Sequence, residues 1–124
     1  LEYFVVAESV SVDQSTNRIS FFNVLEEVHT SKFPVLIPQL AVVAAWNAEE
    51  SDHDRDFQTT IIFPLPDGKN QELNQNFRMT RPRHRTIANV VGLSIAQPGI
   101  MSFEIRLNGI HAAYHTIDVR KDEA

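Results

Sequence analysis

The sequence predicts an all-β chain: a single antiparallel β-sandwich of about eight strands over residues 1–124, Greek-key or jelly-roll-like in its connections. Three observations predict it. Apolar and polar residues alternate with the period of two that a half-buried strand requires. Turn-forming pairs divide the alternating runs, among them Asp67–Gly68, Pro98–Gly99 and Asn108–Gly109. No long segment carries the spacing of an amphipathic helix. Short strands separated by regular turn signals suit a sandwich.

The elements follow in order. Glu2–Val10 is expected as a first strand with both faces apolar, hence inside a sheet. Asp13–Asn17 is a polar loop whose Asx side chains can cap a turn. Arg18–Val28 is expected as a second strand, hairpinned to the first. Pro34 and Pro38 cannot donate to a ladder, so that piece reads as a connection or an edge. Leu40–Asn47 is a strand of small and branched residues that carries Trp46. Ala48–Asp56 is an acidic loop. Phe57–Leu65 is a strand, and Pro66–Lys69 turns the chain into Glu72–Met79, whose polar alternate face marks an exposed strand. Thr80–Arg85 is a basic loop. Ile87–Ile95 fits helical and strand spacing alike, and Gly92 with its branched neighbours favours strand.

The last hairpin organises the rest. Phe103, Ile105 and Leu107 alternate with Ser102, Glu104 and Arg106, and Asn108–Gly109 is the favoured pair for a two-residue turn. A two-residue loop pairs Leu107 with Ile110, Ile105 with Ala112 and Phe103 with Tyr114 on the core face. It pairs Arg106 with His111, Glu104 with Ala113 and Ser102 with His115 on the other. A bulge would change that register. Phe103, Ile105, Tyr114, Phe63, Phe77 and Trp46 are the expected core. His111–Val119 closes the domain, and residues 120–124 are expected to fray.

The chain's 124 residues, 43% apolar and 22% charged, fit one globular domain. A net charge of −5 leaves no large basic footprint, so no nucleic-acid partner is expected. There is no cysteine, which excludes disulfides and thiolate-bound metals and fits a cytoplasmic setting. No apolar run is long enough for a membrane span. Leu1–Ala7 is apolar but lacks the basic flank and length of a signal peptide.

Three stretches look like a known group of chains: Ala7–Asp13, Asn17–Phe22 and the Pro98–Gly99 to Asn108–Gly109 hairpin. Over most of its length the chain resembles a family of short, uncharacterised bacterial β-sandwich proteins. That resemblance implies the fold and brings no activity or catalytic residues.

Two loops concentrate charge. Asp52, Asp54 and Asp56 stand at the spacing that opens a calcium loop, but Phe57 occupies the position where such a loop needs glycine. They are the metal candidates; the other reading is a solvated acidic loop, and no metal site is expected. Arg78, Arg81, Arg83 and Arg85, with His84 among them, suit an anion or an acidic partner, because guanidinium forks match carboxylate and phosphate. The other reading is a loop neutralised by its neighbours. Aromatic residues do not interleave with these arginines, which argues against single-stranded nucleic acid.

His111 and His115, four apart on a strand, would lie roughly 13 Å apart, too far to share one zinc ion. Glu104 lies diagonally between them, so a histidine–carboxylate pair is expected there instead. No nucleophile elbow, zincin motif, P-loop or dinucleotide fingerprint occurs, so no cofactor and no catalytic residue is assigned. The expectation is a small non-enzymatic interaction module whose partner is another protein or a second copy. A ligand-binding sandwich for calcium or an anionic small molecule, using residues 49–56 or 78–85, is the alternative. An enzyme without a recognisable motif is third.

Overall fold

The structure, a computed structural model, describes residues 1–122. The strands are β1 (Tyr3–Val12), β2 (Ile19–Val24), β3 (Glu27–Thr30), β4 (Val35–Asn47), β5 (Asp56–Pro64), β6 (Asn70–Arg78), β7 (Arg83–Ile95), β8 (Gly99–Leu107) and β9 (Ile110–Lys121). One 3₁₀ turn, Glu50–Asp52, interrupts them. They form two sheets and no barrel, ordered β2-β1-β4-β7 and β3-β9-β8-β5-β6. Their inner faces share one buried cluster, drawn from Phe4, Val6, Leu40, Val42 and Trp46 on one side and Ile61, Phe63, Phe103, Ile105 and Ile117 on the other. No helix among the described residues is long and apolar enough to cross a membrane.

The expected second strand is in fact two. Asn23 takes a left-handed φ of 54°, β2 ends at Val24, and the chain crosses to the other sheet as β3. There β3 pairs parallel with β9, Val28 opposite Val119, so the fold is not wholly antiparallel. Both faces of Phe21–Val28 are apolar, which hides the break. The β3 pairing also carries Arg120 and Lys121 into the ladder, opposite His29 and Thr30. The expected fraying therefore fails at those two residues, while residues 123–124 lie outside the described residues.

Pro38 falls inside β4. β1 pairs with β4 only from Tyr3↔Ala45 to Ala7↔Ala41, so Pro38 sits where β4 has lost that neighbour and no bond is forfeited. On its other side β4 pairs with β7, and the ladder skips Pro38 and Gly92. Above the skip Leu40, Val42, Ala88 and Val90 face the core; below it Ile37, Leu93 and Ile95 do. Both strands thus slip one step in their alternation at the same level, where Gly92 holds a φ of 72°. That slip explains the mixed periodicity of Ile87–Ile95, which is a strand throughout.

The last hairpin has the expected turn, Leu107 opposite Ile110, and one extra residue. The register shifts between Ile105 and Arg106, so Ile105 faces Ala113, Phe103 faces His115 and Glu104 faces Tyr114. The bulge turns Tyr114 outward, 61% exposed, against the core position expected for it. His115 turns inward, where its Nε2 lies 2.6 Å from the Leu25 carbonyl. Phe103, Ile105, Phe63 and Trp46 are buried as expected, and Phe77 is half-buried.

The β1–β2 hairpin bends back on itself. Tyr3 and Val10 would be about 23 Å apart along an extended strand. Yet the Tyr3 ring meets Phe21, which lies opposite Val10, edge-to-face at 5.7 Å. The bend is at Glu8 and Asn23, the one skipped pair of the β1–β2 ladder, tied by a 2.9 Å bond from Asn23 Nδ2 to Glu8 Oε2. The outer half of the hairpin lies across the four-stranded sheet's outer face. On that same outer face Ala41, Val43 and Ala45 are buried although they stand outside the core cluster.

Candidate functional site

The four arginines singled out in the sequence line one cleft of about 520 Å³, together with Phe77, His84, Ile87 and, from the folded-back hairpin, Val12 and Asn17. The expected basic loop is shorter than its sequence suggested. β7 begins at Arg83, so Arg83 and Arg85 project from a strand on its outer face, two residues apart, and only Arg81 remains on the loop. Arg78 closes the end of β6.

Their partners differ. Arg78 donates from Nε and Nη2 to Asp56, at 2.9 and 3.2 Å. That fork holds the Asp56 carboxyl below the usual carboxylate range and raises Arg78. Arg83 donates to Glu2 Oε1 at 3.0 Å and reaches Asn47 Oδ1 at 3.5 Å. Arg85 donates to a neutral acceptor, the Asn17 carbonyl, at 3.1 Å, and so latches the hairpin tip. Arg81 is exposed and makes no ion pair among the described residues. His84 adds no charge at neutral pH: its ring lies parallel to Phe77 at 3.9 Å, and burial lowers its pKa from 6.5. Among the described residues two guanidinium charges, Arg81 and Arg85, are therefore left without a carboxylate.

The acidic loop lies beside this cleft. Backbone bonds lace the two together: Ala48 donates to Pro82, Asp54 to Met79, and Met79 to Arg55. The three candidate carboxylates point to separate tasks. Asp52 accepts from the Glu49 backbone N–H, Asp54 lies 3.4 Å from His53, and Asp56 holds Arg78. Among the described residues no group of three or more His, Asp or Glu side chains is placed to hold one metal ion.

The histidine–carboxylate pair forms on the outer face of the five-stranded sheet. His111 Nδ1 lies 2.7 Å from Glu104, whose carboxylate also accepts two bonds from Arg106 at 3.2 Å. Arg106 first, then His111, keeps Glu104 below the usual carboxylate range. A carboxylate held ionised in this way is a poor proton acceptor at neutral pH. His115 is not part of the group, because the bulge sends it to the opposite face.

Sequence reasoning found the arginines and His84 but missed Asn17 and Glu2, which come from the N-terminal hairpin. The only local signal was Asn17 itself, a residue that tolerates the left-handed φ of 58° it adopts. No curated protein matches this chain. Residues 2–120 match a family of unknown function, DUF6941, and the chain belongs to that family.

Proposed function

We propose that the protein is a small non-enzymatic interaction module that binds an acidic segment of a protein partner in the arginine cleft. The observation that carries this reading is the charge balance: Arg81 and Arg85 line the cleft and pair with no carboxylate among the described residues. Guanidinium forks favour carboxylates, and a protein of net charge −5 has little other reason to gather uncompensated cations. A sandwich architecture belongs to the same proposal, supported by the core cluster that the two inner faces share. Complete absence of cysteine supports a cytoplasmic setting. Non-enzymatic action is supported by the cleft's titratable groups: its one histidine is engaged in a stack, and its arginines do not exchange protons near neutrality.

The test is fluorescence anisotropy of a labelled oligo-glutamate peptide. Binding should weaken with salt, and Arg81→Ser should weaken it about tenfold, the value of one charge-assisted contact. Binding that Arg81→Ser leaves untouched would reject the cleft. Inorganic phosphate binding more tightly than the peptide would favour an anionic small molecule instead.

A further inference from the structure

Of the four strands that end a sheet, β6 is the least protected. β2 has six residues and β3 four. β7 is longer, but its ladder skips at Gly92 and its Ile87 carbonyl already accepts from the Gln75 side chain at 3.1 Å. β6 pairs with β5 at every position from Arg78↔Asp56 to Asn70↔Pro64, with no bulge. Between Asn70 and Arg78 it contains no lysine, proline or glycine. Natural sheets blunt their edges with such residues, because unpaired N–H and C=O groups template another strand.

The side chains of this edge read alike from both ends. About Gln75, Asn74 mirrors Asn76, Leu73 mirrors Phe77, and Glu72 mirrors Arg78. Two copies laid antiparallel about a two-fold axis at Gln75 place every residue opposite its mirror. Glu72 of one copy then meets Arg78 of the other on the outer face, at both ends of the pairing. Leu73 meets Phe77 on the inner face, where each is only half-buried because no strand lies beyond β6. Centring the axis on Asn74 or Asn76 instead sets Glu72 against Asn76, or Arg78 against Asn74, and loses both matches. Glu72 makes no ion pair among the described residues, whereas Arg78 presents a second side beyond Asp56.

We propose that the protein forms a symmetric dimer in which β6 of each copy pairs antiparallel with β6 of the other, Gln75 lying on the axis. The partner is a second copy because the edge complements itself in charge and in apolar pattern, as a two-fold interface requires. Cross-strand pairs of these kinds are the units that stabilise a sheet. Joining the edges also removes the most exposed template in the molecule and makes one continuous sheet from two.

Sedimentation velocity across protein concentration tests this. A dimer is expected, and Glu72→Arg, which sets arginine against arginine at both ends, should raise its dissociation constant at least about tenfold. Glu50→Arg, in the acidic loop, should leave it unchanged. Glu72 is exposed, so a thermal melt close to wild type should confirm that the variant folds. The chain has no cysteine, so Gln75→Cys puts the only thiols face to face on the axis, and mild oxidation should link them. A monomer at every concentration, a dimer that survives Glu72→Arg, or a dimer in which Gln75→Cys stays unlinked would each overturn the proposal.

Discussion

His84 stacks on Phe77 with centroids 3.9 Å apart and rings 6° from parallel, and through Phe77 the stack continues to Phe57 at 5.6 Å. The column joins β7 of one sheet to β6 and β5 of the other, and two of its rings, His84 and Phe77, line the arginine cleft. Burial lowers the His84 pKa below 6.5, so the unfolded chain binds a proton that the folded chain refuses. Stability owed to the neutral ring is therefore complete above about pH 6.5 and is lost as pH falls toward the folded pKa. His84→Phe keeps the stack and removes the titration. Because His29 titrates with the opposite sign, the signed change is the test: on going from about pH 7.5 to about pH 5.5 the urea midpoint should fall further, or rise less, in wild type than in that variant.

His29 acts with the opposite sign. Glu27 and Asp122 flank its ring, and their hydrogen bonds raise its pKa above 6.5. Stability from this cluster is present below the unfolded value and is lost as pH rises through the folded one. Histidine NMR titration should place His29 above 6.5 and His84 below it. The reverse order would contradict both assignments.

Phe103 is fully enclosed, and Tyr114, expected to face it, is not. Phe103→Ala should cost about 3–5 kcal/mol in denaturant titration. Tyr114→Ala loses only its contact with the His111 ring and partial cover of the sheet, so its cost should be about 1 kcal/mol or less. Equal costs would contradict the bulge.

Gly92 lies at the paired slip of β4 and β7 with a φ of 72°, and nothing stands within 4 Å of where a Cβ would be. Any effect of substitution is therefore backbone strain and not collision. Gly92→Ala should cost about 1–2 kcal/mol. Gly92→Asn should cost less, since asparagine visits this region more readily.

Asp52, Asp54 and Asp56 are each held by a different group, so thermal melts with chelator and with added calcium should coincide. An ion that bound only the folded chain would raise the midpoint by mass action. A reproducible rise with calcium would return these three carboxylates to the role of ligands.

Turns were legible in the sequence, and the events that reverse a face were not. Asn108–Gly109 turns where its chemistry says it should, with Leu107 opposite Ile110. The single extra residue near Ala112 has no signature, because Ala112 and Ala113 are interchangeable to an alternation count, yet it decides which way Tyr114 and His115 point. The break at Asn23 is hidden by a run that is apolar on both faces. The fold-back of the first hairpin is a tertiary event, visible only once Tyr3 meets Phe21. At the candidate site the arginines were readable because they are neighbours in sequence. Which of them is neutralised was not, because Glu2, the carboxylate on Arg83, arrives from the far end of the chain.

The most direct measurement on the arginine cleft is an amide NMR titration with the oligo-glutamate peptide at low salt. Binding in the cleft predicts shifts concentrated at Arg81–Arg85, with a second group at Val12 and Asn17 on the latched hairpin tip. Shifts absent there, or centred on another part of the surface, would contradict the account.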